Sequence, residues 1–152
     1  MGMFDALDIS ASGLTAQRYR MDIISENVAN ANTTRKEDGS IYRRKVVTFE
    51  AKGTDGVPFK TVLGRSTADL SDHLGKGVRI TTVQEDKTSE YKKVYDPSHP
   101  DADEAGYVYY PNVDIITEMT NLIDASRAYE ANATVIDATK NMLQQGLQMG
   151  RS

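Results

Sequence analysis

The carboxylates most able to bind a ligand sit in one acidic loop. Asp96, Asp101, Asp103 and Glu104 lie between two short β-like stretches, and clustered carboxylates suggest calcium. An EF-hand loop needs ligands at positions 1, 3 and 5, a Gly at 6 and a Glu at 12. Counted from Asp101, the fifth position is Ala105 and the twelfth is Asn112, so the segment reads instead as a solvated, turn-rich loop. The two histidines are His73, near Asp69 and Asp72, and His99, beside Pro100. Neither accompanies a GxSxG turn or a second His at metal spacing, so both read as surface residues. Gly75-Lys76-Gly77 lacks the further Gly and the Ser/Thr of a phosphate-binding loop and reads as a turn. Arg43-Arg44-Lys45, with Arg35 and Lys36 upstream and Tyr42 and Phe49 beside it, superficially suits nucleic acid. Balancing acids in the same region point to a salt-bridged strand or a surface for an acidic protein.

These residues belong to a chain of 152 residues with a net charge of -4 and no cysteine. The charge lacks the basic footprint of a dedicated nucleic-acid binder, and the missing thiols exclude a disulfide framework and a thiolate metal site. The start, Met1 to Asp8, has no basic n-region and is broken by Asp5 and Asp8, so no cleaved secretory signal is expected. No stretch approaches the roughly 20 apolar residues of a membrane span. We expect no enzymatic activity, no cofactor, no metal, no small-molecule substrate and no membrane insertion.

Apolar content and charge divide the chain into three parts: 1–34, 35–112 and 113–152. All four prolines (Pro58, Pro97, Pro100, Pro111) lie in the middle part. Met3 to Asn32 carries 2 basic and 4 acidic residues, and Val113 onward carries 3 and 5. The middle is neutral, so the net charge falls entirely on the two ends.

Both ends read as long helices. Leu7, Leu14, Met21 and Val28 recur at heptad spacing, with Phe4, Ala11, Ile24 and Ala31 beside them. Gly13 interrupts the pattern and permits close approach of a neighbour. Asn27, Asn30 and Asn32 compete with the backbone for hydrogen bonds and should end the helix. At the other end Ile115, Met119, Leu122, Ser126, Tyr129, Ala133, Ile136, Lys140, Leu143 and Leu147 follow coiled-coil steps. Asn112 or Asp114 can cap this second helix, and Glu118 suits the positive end of its dipole. At 1.5 Å per residue the two helices would be about 45 and 54 Å long, more than a compact body of this size can wrap.

The centre is β-like. Ile41–Glu50, Gly77–Val83, Glu90–Tyr95 and Tyr107–Tyr110 are rich in β-branched and aromatic residues, with turns at Gly53–Gly56 and Asp96–Gly106. The fold class is therefore α+β: terminal helices pairing as a coiled coil around a small β-rich middle. A two-helix pair leaves the far side of each stripe exposed, and exposed apolar stripes mark interaction sites.

Several motifs are recognisable. Ser25-Glu26-Asn27-Val28-Ala29-Asn30-Ala31-Asn32-Thr33 resembles the N-terminal signature of bacterial flagellar axial proteins. Val94 to Asp103 (VYDPSHPDAD), Gly106 to Asp114 (GYVYYPNVD), Glu118-Met119 and Ser126 to Asn132 (SRAYEAN) are similar to the proximal branch of the flagellar basal-body rod family. Thr34-Arg35-Lys36 after Thr33, where many axial proteins have Pro-Gly-Tyr, also points to that branch.

The resemblance implies a structural subunit of the proximal rod, the drive shaft between motor and hook. It implies export through the flagellar type III apparatus without signal cleavage, and a final location in the basal body outside the cytoplasmic membrane. Partners would be other rod proteins and copies of the chain, with terminal helices that order on assembly and a β-rich middle on the outside. The residues expected to carry subunit assembly are Leu7, Leu14, Met21, Asn27, Ala29, Asn30 and Thr33 at the N-terminal end. At the C-terminal end they are Glu118, Leu122, Ser126, Arg127, Tyr129, Asn132, Ile136 and Leu143. Asn27, Asn30 and Thr33 would end the first helix and supply inter-subunit hydrogen bonds. Leu7, Leu14, Met21 and Val28 would pack against Leu122, Tyr129, Ile136 and Leu143. A cytoplasmic helical adaptor or export chaperone is the alternative from another class.

Overall fold

The computed structural model describes residues 3–52 and 76–150. The turn expected at Gly53–Gly56, His73 and the first residue of Gly75-Lys76-Gly77 lie outside the described residues. The element order is α1 (Met3–Ala29), β1 (Lys45–Ala51), β2 (Val78–Glu85), β3 (Lys92–Tyr95), β4 (Tyr107–Tyr110) and α2 (Ile115–Met149). The class is α+β, as the periodicity predicts. Helix α1 stops three residues before Asn32, and β1 begins four residues after Ile41. Just before β1, the side chains of Tyr42, Arg43 and Arg44 are engaged in tertiary bonds.

Local chemistry explains each boundary. Asp114 caps α2: its carboxylate accepts the Ile116 N–H at 3.3 Å and the Thr117 hydroxyl at 2.6 Å. These two bonds hold the Asp114 carboxyl below its ordinary value, the hydroxyl contributing most. At the end of α1 the Asn30 side chain donates to the Glu26 carbonyl at 2.9 Å, and the chain turns over Ala31–Asn32. Gly146 lies inside α2, where added side-chain volume would meet nothing within 4 Å.

The described residues form two compact units, and both helices contribute to each. The first contains residues within 3–18, 49–52, 76–81 and 127–150. Here α1 and α2 approach closely at Gly13, where a Cβ would stand 3.0 Å from the Asn132 side-chain amide. The absence of a side chain therefore makes room for Asn132, as the close-approach reading of Gly13 anticipates. Gly77 takes φ +89° beside Ser12, whose hydroxyl accepts the Val78 N–H at 3.0 Å. Among the described residues of this unit, Ser10, Ala16 and Thr139 are buried.

The second unit contains residues 19–48 and 82–126. Its core is Ile24, Ala31, Tyr42, Val108, Pro111 and Ala125, together with the polar Asn27 and Glu118. Strands β3 and β4 pair antiparallel, with Lys92 opposite Tyr110 and Tyr95 opposite Tyr107. Val108 is fully buried on one face of this ribbon, while the tyrosines of the other face remain accessible. Strands β1 and β2 form a separate two-stranded sheet.

The burial along α2 corrects the expected register. The inward line runs Glu118, Leu122, Ala125, Tyr129, Asn132, Ile136, Thr139 and Leu143, a heptad in which every second member is small or polar. Leu122, Tyr129, Ile136 and Leu143 are half-buried. Ile115, Met119, Lys140 and Leu147, assigned to the seam from sequence, are exposed. Asn132 against Gly13 and Glu118 against Asn27 select the register one position over, because both contacts need short or polar partners.

Candidate functional site

The constellation with the most specific geometry is a buried polar cluster in the second unit, built on Asn27. This residue lies in the last turns of α1 and is 1% exposed. Its amide group uses every hydrogen-bonding position it has. Nδ2 donates to the Lys45 carbonyl at 2.9 Å and to Glu118 Oε2 at 3.0 Å. Oδ1 accepts the Tyr42 hydroxyl at 2.9 Å and the Lys45 N–H at 2.9 Å. One side chain thus ties α1 to the start of β1 and to the first turn of α2.

Glu118 completes the cluster. Its Oε1 accepts Arg44 Nε at 2.8 Å and lies 2.7 Å from the second guanidinium nitrogen, while Oε2 takes Asn27. A buried carboxylate is tolerated only when its charge is paired and its lone pairs are used, and both conditions hold here. The Arg44 N–H donates to Asn112 Oδ1 at 2.9 Å, and Asn112 Nδ2 reaches the Asp86 carbonyl at 3.0 Å. Lys45 pairs with Glu26. Burial raises the Tyr42 phenol well above its ordinary value, with Glu26, Glu118 and Glu85 adding to the effect, so it remains a donor. Lys36 and Lys45 stand over its ring at 5.3 and 5.8 Å.

This geometry revises the expected role of Asn27. With four bonds inside its own chain, its amide has no capacity left for a neighbouring subunit. Asn30 bonds to Glu26 and to the Thr33 hydroxyl, at 3.3 Å from its Oδ1. Ala29 and Arg127 are exposed, whereas Ser126 is half-buried. Leu7, Leu14, Met21, Val28, Leu122, Tyr129, Ile136 and Leu143 are all half-buried. Asn132 lies against Gly13 and donates to the Ala128 carbonyl at 2.8 Å.

Sequence reasoning missed Tyr42, Arg44, Lys45 and Asn112 as members of the cluster. The available signal was Glu118 itself, a carboxylate that a helix face can bury only beside a cation. Arg43-Arg44-Lys45 proves to be divided: Arg44 and Lys45 are ion-paired, while Arg43 turns onto the Tyr91 ring at 4.4 Å.

In the acidic loop two carboxylates bond locally and one reaches a distant segment. Asp96 accepts the Ser98 hydroxyl at 2.7 Å, Asp103 accepts the Ala105 and Tyr107 N–H groups, and Asp101 accepts the Thr34 hydroxyl at 2.7 Å. His99 Nδ1 accepts the Asp101 N–H at 3.1 Å. Asp96 and Asp103 thus close the turn itself, while Asp101 ties it to Thr34 and Arg35 much earlier in the chain.

Comparison with known proteins identifies the arrangement. Residues 7–35 match the family model described as flagella basal body rod protein. Residues 104–149 match the flagellar basal body rod FlgEFG protein C-terminal model. Flagellar basal-body rod protein FlgC of Bacillus subtilis strain 168 is 44% identical over 155 aligned residues, covering 99% of this chain and all of the relative. The FlgC of Borreliella burgdorferi is 43% identical, covering 97% of each chain, and that of Salmonella typhimurium 37%, covering 99% and 100%. The chain belongs to the FlgC family of flagellar basal-body rod proteins. As a FlgC-family protein it is a structural subunit of the basal-body rod and assembles with other rod components. The N-terminal match covers the Asn27 signature, and the C-terminal match covers Asn112, Glu118 and the α2 line, so the two matched segments are joined by the Asn27–Glu118 bond.

Proposed function

We propose that the chain polymerises with other axial proteins into the proximal rod, forming part of the drive shaft between motor and hook. In this reading it is exported through the flagellar type III apparatus. Residues 1–34 and 113–152 pair antiparallel as a coiled coil while residues 35–112 form the outer body. The pairing is supported by Gly13 against Asn132 and Asn27 against Glu118.

One observation carries the assembly reading. The buried line of α2 is half small or polar, yet large apolar side chains point outward: Ile116 is 77% exposed, Met119 55%, Val135 49%, Met142 59% and Leu147 67%. Helix faces of this kind are completed by neighbours. Asn27 and Glu118 act as positioning residues in this scheme, fixing the helix ends that present those faces.

The test is complementation of a strain lacking its own subunit. Leu122→Asp and Ile136→Asp should abolish swimming and remove the subunit from purified basal bodies. Normal motility in either variant, or a wild-type protein retained in the cytoplasm, refutes the proposal.

A further inference from the structure

One surface takes no part in the helix pairing or the buried cluster. On the accessible face of the β3–β4 ribbon stand Lys93, Tyr95, Tyr107 and Tyr109, with Tyr91 just before β3. Tyr95 is 65% exposed and packs edge-on against Tyr107, with ring centroids 5.2 Å apart. The Lys93 ammonium stands 3.9 Å from the Tyr107 centroid, and the Arg43 guanidinium stands 4.4 Å from that of Tyr91. A groove of about 330 Å³ runs past Arg43, Lys87, Tyr91, Lys93 and Tyr109, with Glu90 as its one acid. Among the described residues no carboxylate forms an ion pair with Arg43, Lys87 or Lys93, although Arg44 and Lys45 next door are paired. Cations held on aromatic rings and left without counter-charges mark a docking face for an acidic segment.

We propose that this tyrosine–cation face docks the exposed face of the stretch Arg127–Asp137 of α2, which carries Glu130 and Asp137, from a second copy of the chain. The proposal rests on the reading that copies of the chain assemble together. Three observations select this occupant. Glu130 and Asp137 are exposed and form no ion pair among the described residues, so they match the unpaired cations in charge. Seven residues apart, they lie along one line of the helix at a spacing of about 10.5 Å. Arg43 sits over Tyr91 and Lys93 leans toward Tyr107, opposite Tyr95, so the two cations are separated by two to four strand residues, on the order of 10 Å. The order also agrees. With Glu130 on Lys93 and Asp137 on Arg43, Arg127 falls one turn beyond Glu130, where it meets the exposed Tyr95 ring. Ribbon face and helix face are different surfaces of one chain, so the contact is heterologous and propagates into an open array. Each exposed ion pair is worth at most about fivefold in an equilibrium constant, so selectivity comes from repetition along the array.

The native chain has no cysteine, so single introduced cysteines report cleanly. Basal bodies are purified from cells producing both Lys93→Cys and Glu130→Cys chains and treated with a short bifunctional maleimide. A linker is used because a direct disulfide needs Cα atoms within about 7 Å. Linked dimers that require both variants together support the contact. Absence of the 93–130 link in basal bodies that contain both chains overturns it, while leaving the rod-subunit reading intact. Dimers formed by Lys93→Cys alone also overturn it, since they indicate a symmetric face. As a second measurement, Lys93→Glu should reduce swimming and Glu130→Lys in the same chain should restore it. Failure of that restoration overturns the pairing of these two residues.

Discussion

Asn27→Asp is the sharpest perturbation of the buried cluster, because it changes one atom type and no volume. In the native chain the Asn27 amide donates to the Lys45 carbonyl and to Glu118 Oε2 and accepts from Tyr42 and the Lys45 amide. Aspartate keeps the two acceptor bonds and loses both donors. It also sets a second carboxylate about 3 Å from that of Glu118, where one Arg44 must serve both charges. Losing the partner of a buried group costs about 1–3 kcal/mol, more when a charge is involved. The expected loss is therefore about 3–5 kcal/mol, a large share of the 5–15 kcal/mol typical of a whole domain. Asn27→Ala should cost about 2–4 kcal/mol, since four partners lose their bonds but no charge is added. The two variants then differ in pH dependence. Paired carboxylates share a proton, so the folded Asn27→Asp variant holds one carboxyl above its unfolded value of about 4. That proton is bound more tightly in the folded state, so stability of this variant should recover as pH falls through the raised value toward about 5. Urea unfolding followed by circular dichroism between pH 7 and pH 5 measures both effects. If Asn27→Asp is as stable as the wild type at pH 7, or shows the same pH slope as Asn27→Ala, the cluster does not hold the helices as described.

Three further outcomes follow from local geometry. Gly77→Ala should destabilise by more than about 1 kcal/mol, since φ is +89° and the new Cβ would stand 2.1 Å from Ser12 Oγ; thermal melting checks this. Gly146→Ala should stabilise α2 by up to about 1 kcal/mol, because the added methyl meets nothing within 4 Å; helical signal against temperature is the measurement. Asp38, Asp86, Asp96 and Asp114 are all held below the ordinary carboxylate value, chiefly by the hydroxyls of Ser40, Ser89, Ser98 and Thr117. Their contribution is complete above the unfolded value of about 3.9 and is lost as pH falls through the lower folded values, so acid titration should show loops and the α2 cap loosening only below about pH 4.

Much of the architecture was legible because it rests on period and on special residues. Tyr107–Tyr110 is a strand as its composition predicts, Asp114 caps α2, and Gly13 marks a close approach. The seam register was not legible. In α2 the Leu122–Leu143 line is common to two adjacent registers, and the more apolar flank, with Ile115, Met119 and Leu147, is the one left exposed. The choice falls to Asn132 and Glu118, whose partners come from distant parts of the chain. The same holds for Arg44: its run of three cations gives no local hint that one will be drawn onto a glutamate 74 residues away. Long-range polar complementarity has no period, and only the folded chain displays it.

The uneven burial along α2 leads to a last expectation about when the chain becomes rigid. Near its start the helix is held by the Asp114 cap, by Glu118 at 1% exposure and by Ala125 at 0%. Toward its end Leu143 is the last half-buried residue, and every described residue from 144 to 150 is exposed. Intrinsic propensity cannot hold those last turns, since Gly146 interrupts them at a cost near 1 kcal/mol relative to Ala. Helix stability there must come from tertiary packing, and Leu143 is the last described residue of α2 that is even half-buried. Amide exchange on the free chain should therefore be slow around residues 118–129 and fast after Leu143. In purified basal bodies the same late amides should slow by orders of magnitude, because neighbours would cover Leu147 and Met149, now 67% and 75% exposed. Equal protection at both ends of α2 in the free chain would mean that the helix needs no neighbour. The exposed apolar residues would then require a different explanation.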